Sequence, residues 1–282
     1  MLFLKPKYER KAIQSYKEHF GTLPDIDSPN TFCEKLINRI KYKTDTPFFQ
    51  ELADKYTVRE YVKEKIGDEY LIPLIDCFDN YQTVLDNLEQ YKGTVIKPNH
   101  GSGMVYVVPQ KLVKSDYQEA KKKFKKWTRR DFAKRHGERH YANIPRKFLV
   151  EQFVGSRNML PVDYKIHLFR DIEGGFNYTL ETVSGRGSSQ VQSSYFVNNV
   201  TTSSIGDYQL STHEQKKVLE AVELSKQLLG VLEYARVDWY ILENNIYFGE
   251  ITLTPAAGVD EDINNDLNEI MGSFWHMSLI KY

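Results

Sequence analysis

Residues 234–254 read YARVDWYILENNIYFGEITLT. Two runs rich in β-branched and aromatic residues flank the turn signal ENN, the pattern of a β-hairpin. Polar residues interrupt both runs at alternate positions. Arg236 and Asp238 alternate with Ala235, Val237 and Trp239, and Glu250 and Thr252 alternate with Ile251 and Leu253. Successive side chains of a strand point to opposite faces, so the polar set shares one face. Carboxylates on strands that should be buried are costly unless they are paired or bind a cation. Two carboxylates and a hydroxyl oxygen on one face suit a hard cation such as magnesium holding nucleotide phosphates. A cross-strand network of arginine with Asp and Glu would use the same residues without a metal.

Register decides whether such a site forms. With ENN as a three-residue loop, Leu242 pairs with Ile246, Asp238 with Glu250 and Arg236 with Thr252. A two-residue loop would put Asp238 opposite Ile251. The pattern therefore predicts an odd-length loop.

A second stretch, VIKPNHGSG at residues 95–103, offers a glycine-rich turn behind a lysine. A P-loop places its lysine after the glycines and runs into a helix, and a dinucleotide fingerprint also needs strand, turn and helix. Here Lys97 comes first and the strand VYVV follows. Protein kinases set a glycine-rich loop in a hairpin, but their lysine lies on the next strand beside H-R-D and D-F-G motifs that this chain lacks. Taken alone, the stretch is equally a turn with a solvated lysine.

Composition narrows the class. The chain has 282 residues, with 38 basic and 38 acidic side chains, 41% hydrophobic and 13% aromatic. A packed core follows, and disorder does not. Zero net charge argues against bulk nucleic-acid binding, which needs a basic excess. Two cysteines, Cys33 and Cys77, are too few for a disulfide framework or a zinc site. The opening MLFLKPKYERK has three apolar residues after Met1, far short of a signal peptide or a span. The expectation is a soluble, cytoplasmic protein, with peripheral membrane association left open.

Hairpins alternate with helices along the chain. Residues 46–66 read as a broken helix, with TVRE as a capping box at Thr57 and Glu60 and a stop at Gly67. YLIPLID, KFLVEQFVG, VDYKIHLFRD and FNYTLETV read as strands. Residues 115–137 read as a helix capped by Ser115 and Gln118, and residues 212–229 as one capped by Thr212 and Gln215. SGRGSSQVQSS, residues 184–194, reads as a loop, and a helical tail closes the chain. This order gives an α+β fold with antiparallel sheet rather than a doubly wound parallel one.

DKYTVREYV, VIKPNHGSG, VEQFV, DYKIHLF, RVDWY and FGEITLTP occur in an order that resembles the ATP-grasp superfamily. More narrowly, the chain resembles the TupA-like ATP-grasp proteins of bacterial surface-polysaccharide gene sets, over roughly residues 45–260. The resemblance implies two α+β subdomains with mainly antiparallel sheets gripping a nucleotide. It divides the chain into an N-terminal α/β segment (1–90), a lid subdomain (91–156) and a C-terminal subdomain with the metal site (157–282). ATP and magnesium are the implied cofactors. Lys97 would contact nucleotide phosphates, with Gly101, Ser102 and Gly103 closing over them and His100 as a further donor. Arg59 stands where many relatives place a first basic residue, usually lysine. Glu151, Gln152, Phe153 and Val154 match the strand whose backbone reads adenine, and Asp163 and Lys165 follow at positions facing the nucleotide. Asp238 and Glu250 match the magnesium carboxylates. Thr252 replaces the usual asparagine, so one ligand is altered. Arg236 matches the arginine facing an acyl phosphate. The flap at residues 101–103 should face Asp238 and Glu250 across a cleft wide enough for a triphosphate.

Other residues leave two readings each. KKKFKKWTRR, residues 121–130, is a solvated helix face with Phe124 and Trp127 inward, or a surface for an anionic polymer or headgroup. His167 lines the site or partners a carboxylate. Arg186 clamps a substrate carboxylate or is an exposed loop arginine. His136 and His140 have the spacing of a helical metal pair, but Gly137 intervenes and no third ligand is evident. Three functions fit the chain: a carboxylate–amine ligase amidating a uronic acid of a surface glycan with an amino acid, a phosphotransferase to a glycan hydroxyl, and a nucleotide- or glycan-binding module.

Overall fold

The computed structural model describes residues 8–44, 46–155, 161–185 and 191–277. Two helices open the chain, α1 (Arg10–Phe20) and α2 (Phe32–Tyr42). Next come α3 (Pro47–Ala53) and α4 (Val58–Ile66). The helix break at residues 54–57 and the stop at Gly67 match the sequence reading. Thr57 is not a side-chain cap, however. Its hydroxyl donates to the Glu51 carbonyl at 3.0 Å, tying α4 back to α3.

A four-stranded sheet follows, built from β1 (Leu74–Phe78), β2 (Thr94–Pro98), β3 (Tyr106–Val107) and β4 (Phe148–Gln152) in the order β1-β4-β2-β3. The sheet thus takes in Leu74–Phe78, ahead of residue 91. Helix α5 (Tyr81–Asp86) follows β1, and α6 (Lys114–Thr128) and α7 (Phe132–His136) follow β3. The single helix expected over residues 115–137 is broken between them. The start of α6 also differs from expectation, because the Asp116 carboxylate accepts from the Val113 N–H at 2.8 Å, which puts the cap at Val113 ahead of the expected Ser115. Phe124 and Trp127 of α6 are buried in this subdomain's core with Ile96, Phe148 and Val150.

The larger sheet has five strands in the order β7-β6-β5-β8-β9. They are β5 (Asp163–Arg170), β6 (Phe176–Ser184), β7 (Gln192–Val197), β8 (Tyr234–Ile241) and β9 (Ile246–Thr252), with α8 (Thr212–Leu229) before β8 and α9 (Asn265–Phe274) after β9. All pairings between these strands, and all in the smaller sheet, are antiparallel. Strand β7 lies partly in the stretch read as a loop. Its Ser194, Tyr195 and Phe196 are buried despite the serines before them. Helix α8 is capped one residue earlier than expected, by Ser211 with Glu214. One face of the sheet packs Tyr164, Ile166, Leu168, Val237 and Trp239 against α8. The opposite face carries the polar set and is covered at one end by α1, α2 and α9 through Phe32, Phe169, Tyr234 and Trp275.

The last hairpin reaches the expected pairing by a different route. The Leu242 N–H donates to the Asn245 carbonyl at 2.8 Å and Ile241 pairs with Ile246, so the turn is even-length, not odd. Trp239 pairs with Phe248, yet Asp238 pairs with Glu250 and Arg236 with Thr252. The residue left over is Gly249, a β-bulge that shifts the register by one. A Cβ there would stand 3.0 Å from the Asp238 carbonyl oxygen. That close approach favours glycine, since a side chain would force the Asp238 backbone to shift.

Arg39 of α2 holds the base of this hairpin. It is fully buried and donates from Nη1 to the carbonyls of Tyr234 and Leu253, both at 3.0 Å. Its guanidinium lies 4.4 Å from the Trp275 ring centroid and 3.4 Å from the buried Glu233 carboxylate. The helix thereby joins the start of β8 to the chain just beyond β9, which gives the N-terminal residues a structural role. Removing one partner of a buried ion pair costs about 3–5 kcal/mol. Arg39→Ala should lose stability of that order in urea unfolding. Arg39→Lys should not recover it, because an ammonium cannot supply the planar fork and the ring contacts together.

Candidate active site

The two sheets meet at a cleft whose walls come from the tips of β2, β4, β5, β8 and β9. At one side lies a cavity of about 270 Å³ lined by apolar Val95, Val105 and Val107 of the smaller sheet, with Lys97, Asp163 and Tyr240. Glu151, Gln152, Phe153 and Val154 line it too, so the stretch expected to read adenine does border a cavity with Lys97. The Glu151 side chain has a further role. Its carboxylate sits 2.6 Å from Lys97 Nζ and 3.4 Å from Arg59, whose Nη2 also donates to the Ile72 carbonyl at 2.9 Å. This one buried carboxylate therefore positions both expected phosphate-side cations.

The glycine loop divides the cleft. Gly103 lines the first cavity and also a second, of about 340 Å³, with Ser102, Arg236, Glu250 and Thr252. The flap thus faces the β8–β9 hairpin. Gly103 has a φ of +68°, a left-handed conformation that favours glycine. At Gly101 a Cβ would meet the Phe132 ring at 2.6 Å. His100 is placed differently from expectation. Its ring is buried in the lid with Nε2 3.1 Å from the Trp127 carbonyl, and burial lowers its pKa, so it anchors the loop from below.

On the hairpin, Arg236 binds Asp238 through two bonds of 2.7 and 2.8 Å. It also donates to Thr252 Oγ1 at 3.2 Å and lies 3.7 Å from Glu250. The Glu250 carboxylate receives Lys55 Nζ at 2.6 Å. Burial alone would raise the Glu250 carboxyl, but Lys55 and Arg236 outweigh it and hold it down at about 2. Burial pushes the Asp238 carboxyl up, with Glu250 adding to the effect and Arg236 opposing it. The structure shows the cross-strand arginine network, built from the same residues whose oxygen atoms share this face.

Lys55 escaped the sequence reading. It sits in the turn after α3, where its N–H donates to the Asn99 carbonyl at 3.3 Å. Asn99 in turn donates to Asp54 and to the Pro145 carbonyl, both at 2.8 Å, and accepts from the Lys147 N–H at 2.8 Å. One buried asparagine therefore fixes the base of the glycine loop and the lysine that reaches Glu250. Its place in VIKPNHGSG and the DKY ahead of TVREYV were the available signals.

Deeper in the sheet, Lys165 lies opposite Asp238 and bonds Glu181 at 2.5 Å. Burial would raise the Glu181 carboxyl, but His167 and Lys165 bring it down to about 2. His167 is buried with Nδ1 3.0 Å from the Tyr234 hydroxyl and Nε2 3.7 Å from Glu181, the carboxylate-partner reading of that residue. Arg186 lies outside the described residues.

A family model described as TupA-like ATPgrasp matches residues 34–276. The chain belongs to the TupA-like ATP-grasp family. No curated protein matches the sequence. Among solved structures, D-alanyl-alanine synthetase A from Vibrio cholerae O1 biovar eltor aligns at 12% identity over 80% of this chain, with a TM-score of 0.48. D-Alanine-D-alanine ligase from Helicobacter pylori aligns at 16% identity over 79% of the chain, with a TM-score of 0.47. The L-amino acid ligase from Bacillus licheniformis aligns at 16% identity over 84%, with a TM-score of 0.45. The chain spans 61%, 61% and 47% of these three proteins respectively. Among the described residues, no helix is long and apolar enough to cross a membrane.

The family's ATP site and the bulge can be tested together. Gly249→Val should lower stability by about 1–3 kcal/mol, as overpacked positions do. It should also weaken magnesium-dependent binding of a non-hydrolysable ATP analogue measured by calorimetry. An unchanged affinity would mean that the bulge does not set the site.

Proposed function

We propose that the protein is an ATP-dependent carboxylate–amine ligase that works through an acyl phosphate. In this reading it joins an amino acid to a uronic acid of a bacterial surface polysaccharide. The observation that carries the reading is the divided cleft. A cavity bordered by Lys97 and residues 151–154 lies on one side of Gly103, and a cavity with Arg236, Glu250 and Thr252 lies on the other. A nucleotide in the first would direct its phosphates past the flap toward an acceptor in the second.

A carboxylate is a poor acyl donor and must be phosphorylated before an amine can displace its oxygen. Lys97 and the flap N–H groups at Gly101, Ser102 and Gly103 would hold the phosphate chain and align the transferring group. Arg236 would stabilise negative charge on the acyl phosphate and on the tetrahedral adduct. Asp163, which lines the first cavity, would orient the nucleotide, Lys165 is instead held by Glu181, and Arg59 would act through Glu151 on Lys97. Closure of the flap would keep water from the acyl phosphate.

The donor set fits magnesium. Asp238, Glu250 and Thr252 present oxygen atoms from one sheet face, and the charges now beside the carboxylates are the cations Arg236 and Lys55. Among the described residues, no group of three or more His, Cys, Asp or Glu is placed to hold a metal. Magnesium does not need one, because it takes one or two carboxylates and completes its shell with phosphate oxygens and water. Bound there, it would supply neutralisation of phosphate charge.

A phosphotransferase to a glycan hydroxyl needs the same nucleotide site and a carboxylate base near the acceptor. Glu138 lines the second cavity and favours keeping this second reading. Incubation with Mg-ATP, a uronate oligosaccharide and a pool of amino acids separates the two. ADP release that requires both carboxylate and amine, with an amide product, is the expected result. A phosphorylated glycan formed without amine would overturn the ligase reading. Asp238→Asn and Glu250→Gln should each abolish turnover while the circular dichroism spectrum stays unchanged.

A further inference from the structure

The second cavity contains a carboxyl group that the proposed chemistry has not yet used. Glu138 lies between α7 and the short turn at Arg139–Tyr141, and its side chain is only 8% exposed. It lines the cavity together with Ser102, Gly103, Arg236 and Glu250. The Thr254 hydroxyl donates to its Oε1 at 2.6 Å. Thr254 is itself fully buried just beyond β9, so the carboxyl is held by the hairpin that carries the site. Among the described residues, no lysine or arginine comes within salt-bridge distance of Glu138. His140 lies 3.9 Å away, but burial and Arg39 lower its pKa to about 3, so it is neutral.

A buried carboxyl without a cation is costly to ionise. Burial therefore raises Glu138 to about 7, with the Thr254 bond opposing and Glu250 reinforcing the shift, and Arg236 and Lys55 acting against it. A group poised near neutrality can take and return a proton at little cost. What is missing from its surroundings is a cationic donor that enters with the substrate.

Amide formation supplies that donor. An aliphatic amine is protonated at neutral pH, and a protonated nitrogen has no lone pair to attack with. Resting on the ligase reading above, we propose that Glu138 receives the ammonium group of the amine substrate and removes its proton before attack. The ammonium pairs with the Glu138 carboxylate, and one proton passes to that carboxylate. The freed lone pair forms the C–N bond to the acyl carbon. The C–O bond to phosphate then breaks, and the departing phosphate takes the second proton from nitrogen. Phe132 and Tyr141, which also line the cavity, would flank the amine. Glu138 is in this sense a catalytic residue, while Thr254 is a positioning residue.

Hydroxylamine provides the test, because it is already unprotonated at neutral pH and needs no base. Wild-type protein with Mg-ATP and a uronate oligosaccharide should give a hydroxamate with hydroxylamine and an amide with an amino-acid pool. Glu138→Gln should slow amide formation far more than hydroxamate formation, with the melting temperature near that of the wild type. Its amide formation should fall about 100-fold or more, the usual contribution of general acid–base catalysis. Thr254→Val should show the same selective loss to a smaller extent. If hydroxamate and amide formation fall together in Glu138→Gln, or if neither falls, the base role is overturned while the ligase reading stands. A wild-type protein that forms neither hydroxamate nor amide would instead overturn the ligase reading, and this one with it; amide without hydroxamate would overturn the base role alone.

Discussion

The geometry of the cleft depends on Gly249, the residue that shifts the register between β8 and β9. A strand's side chains alternate with a period of two, so a slip of one residue moves a whole set to the opposite face. Without the bulge, Glu250 and Thr252 would turn toward the core against α8, and Ile251 and Leu253 would turn into the cleft. With it, Asp238 faces Glu250 and Arg236 faces Thr252, while Ile251 and Leu253 stay buried. The approach to the Asp238 carbonyl makes any side chain at this position a tight fit.

Once the oxygen atoms share a face, their charge must be balanced, and the fold recruits cations from far along the chain. Arg236 comes from the adjacent strand, and Lys55 from the turn beneath the glycine loop. Lys165 serves Glu181 in the same way, deeper in the sheet, with the buried His167 beside it. The same logic runs through the lid, where Glu151 holds Lys97 and Arg59 before any nucleotide arrives. Glu138 is the exception. It is buried like the others but lacks a strong cation, which leaves its proton mobile.

Much of this was legible in the sequence. Alternating polarity announced the β8–β9 hairpin and the shared face of Arg236, Asp238, Glu250 and Thr252, and the lysine-first order of VIKPNHGSG separated the loop from P-loops. The loop parity was misjudged although the sequence held the correction. The apolar phase runs on even positions at Ile246 and Phe248 and on odd positions at Ile251 and Leu253, so it changes at Gly249. Lys55, Asn99, Arg39 and Glu138 were harder to see. Their roles arise from contacts with residues distant in sequence, such as Lys55 with Glu250 and Glu138 with Thr254; Lys55 and Asn99 stand inside noted stretches, but no local pattern states those contacts. His100 stood inside a recognised motif, but only packing against Trp127 decided that its ring turns into the lid.

Transfer of oxygen from the acceptor to phosphate tests the central claim most directly. A uronate oligosaccharide labelled with oxygen-18 in its carboxylate would be incubated with the protein, Mg-ATP and the amine pool. Passage through an acyl phosphate leaves one carboxylate oxygen on the leaving group. Inorganic phosphate carrying the label in step with amide formation is the predicted result. Unlabelled phosphate, or label retained wholly in the glycan while ATP is consumed, would contradict it.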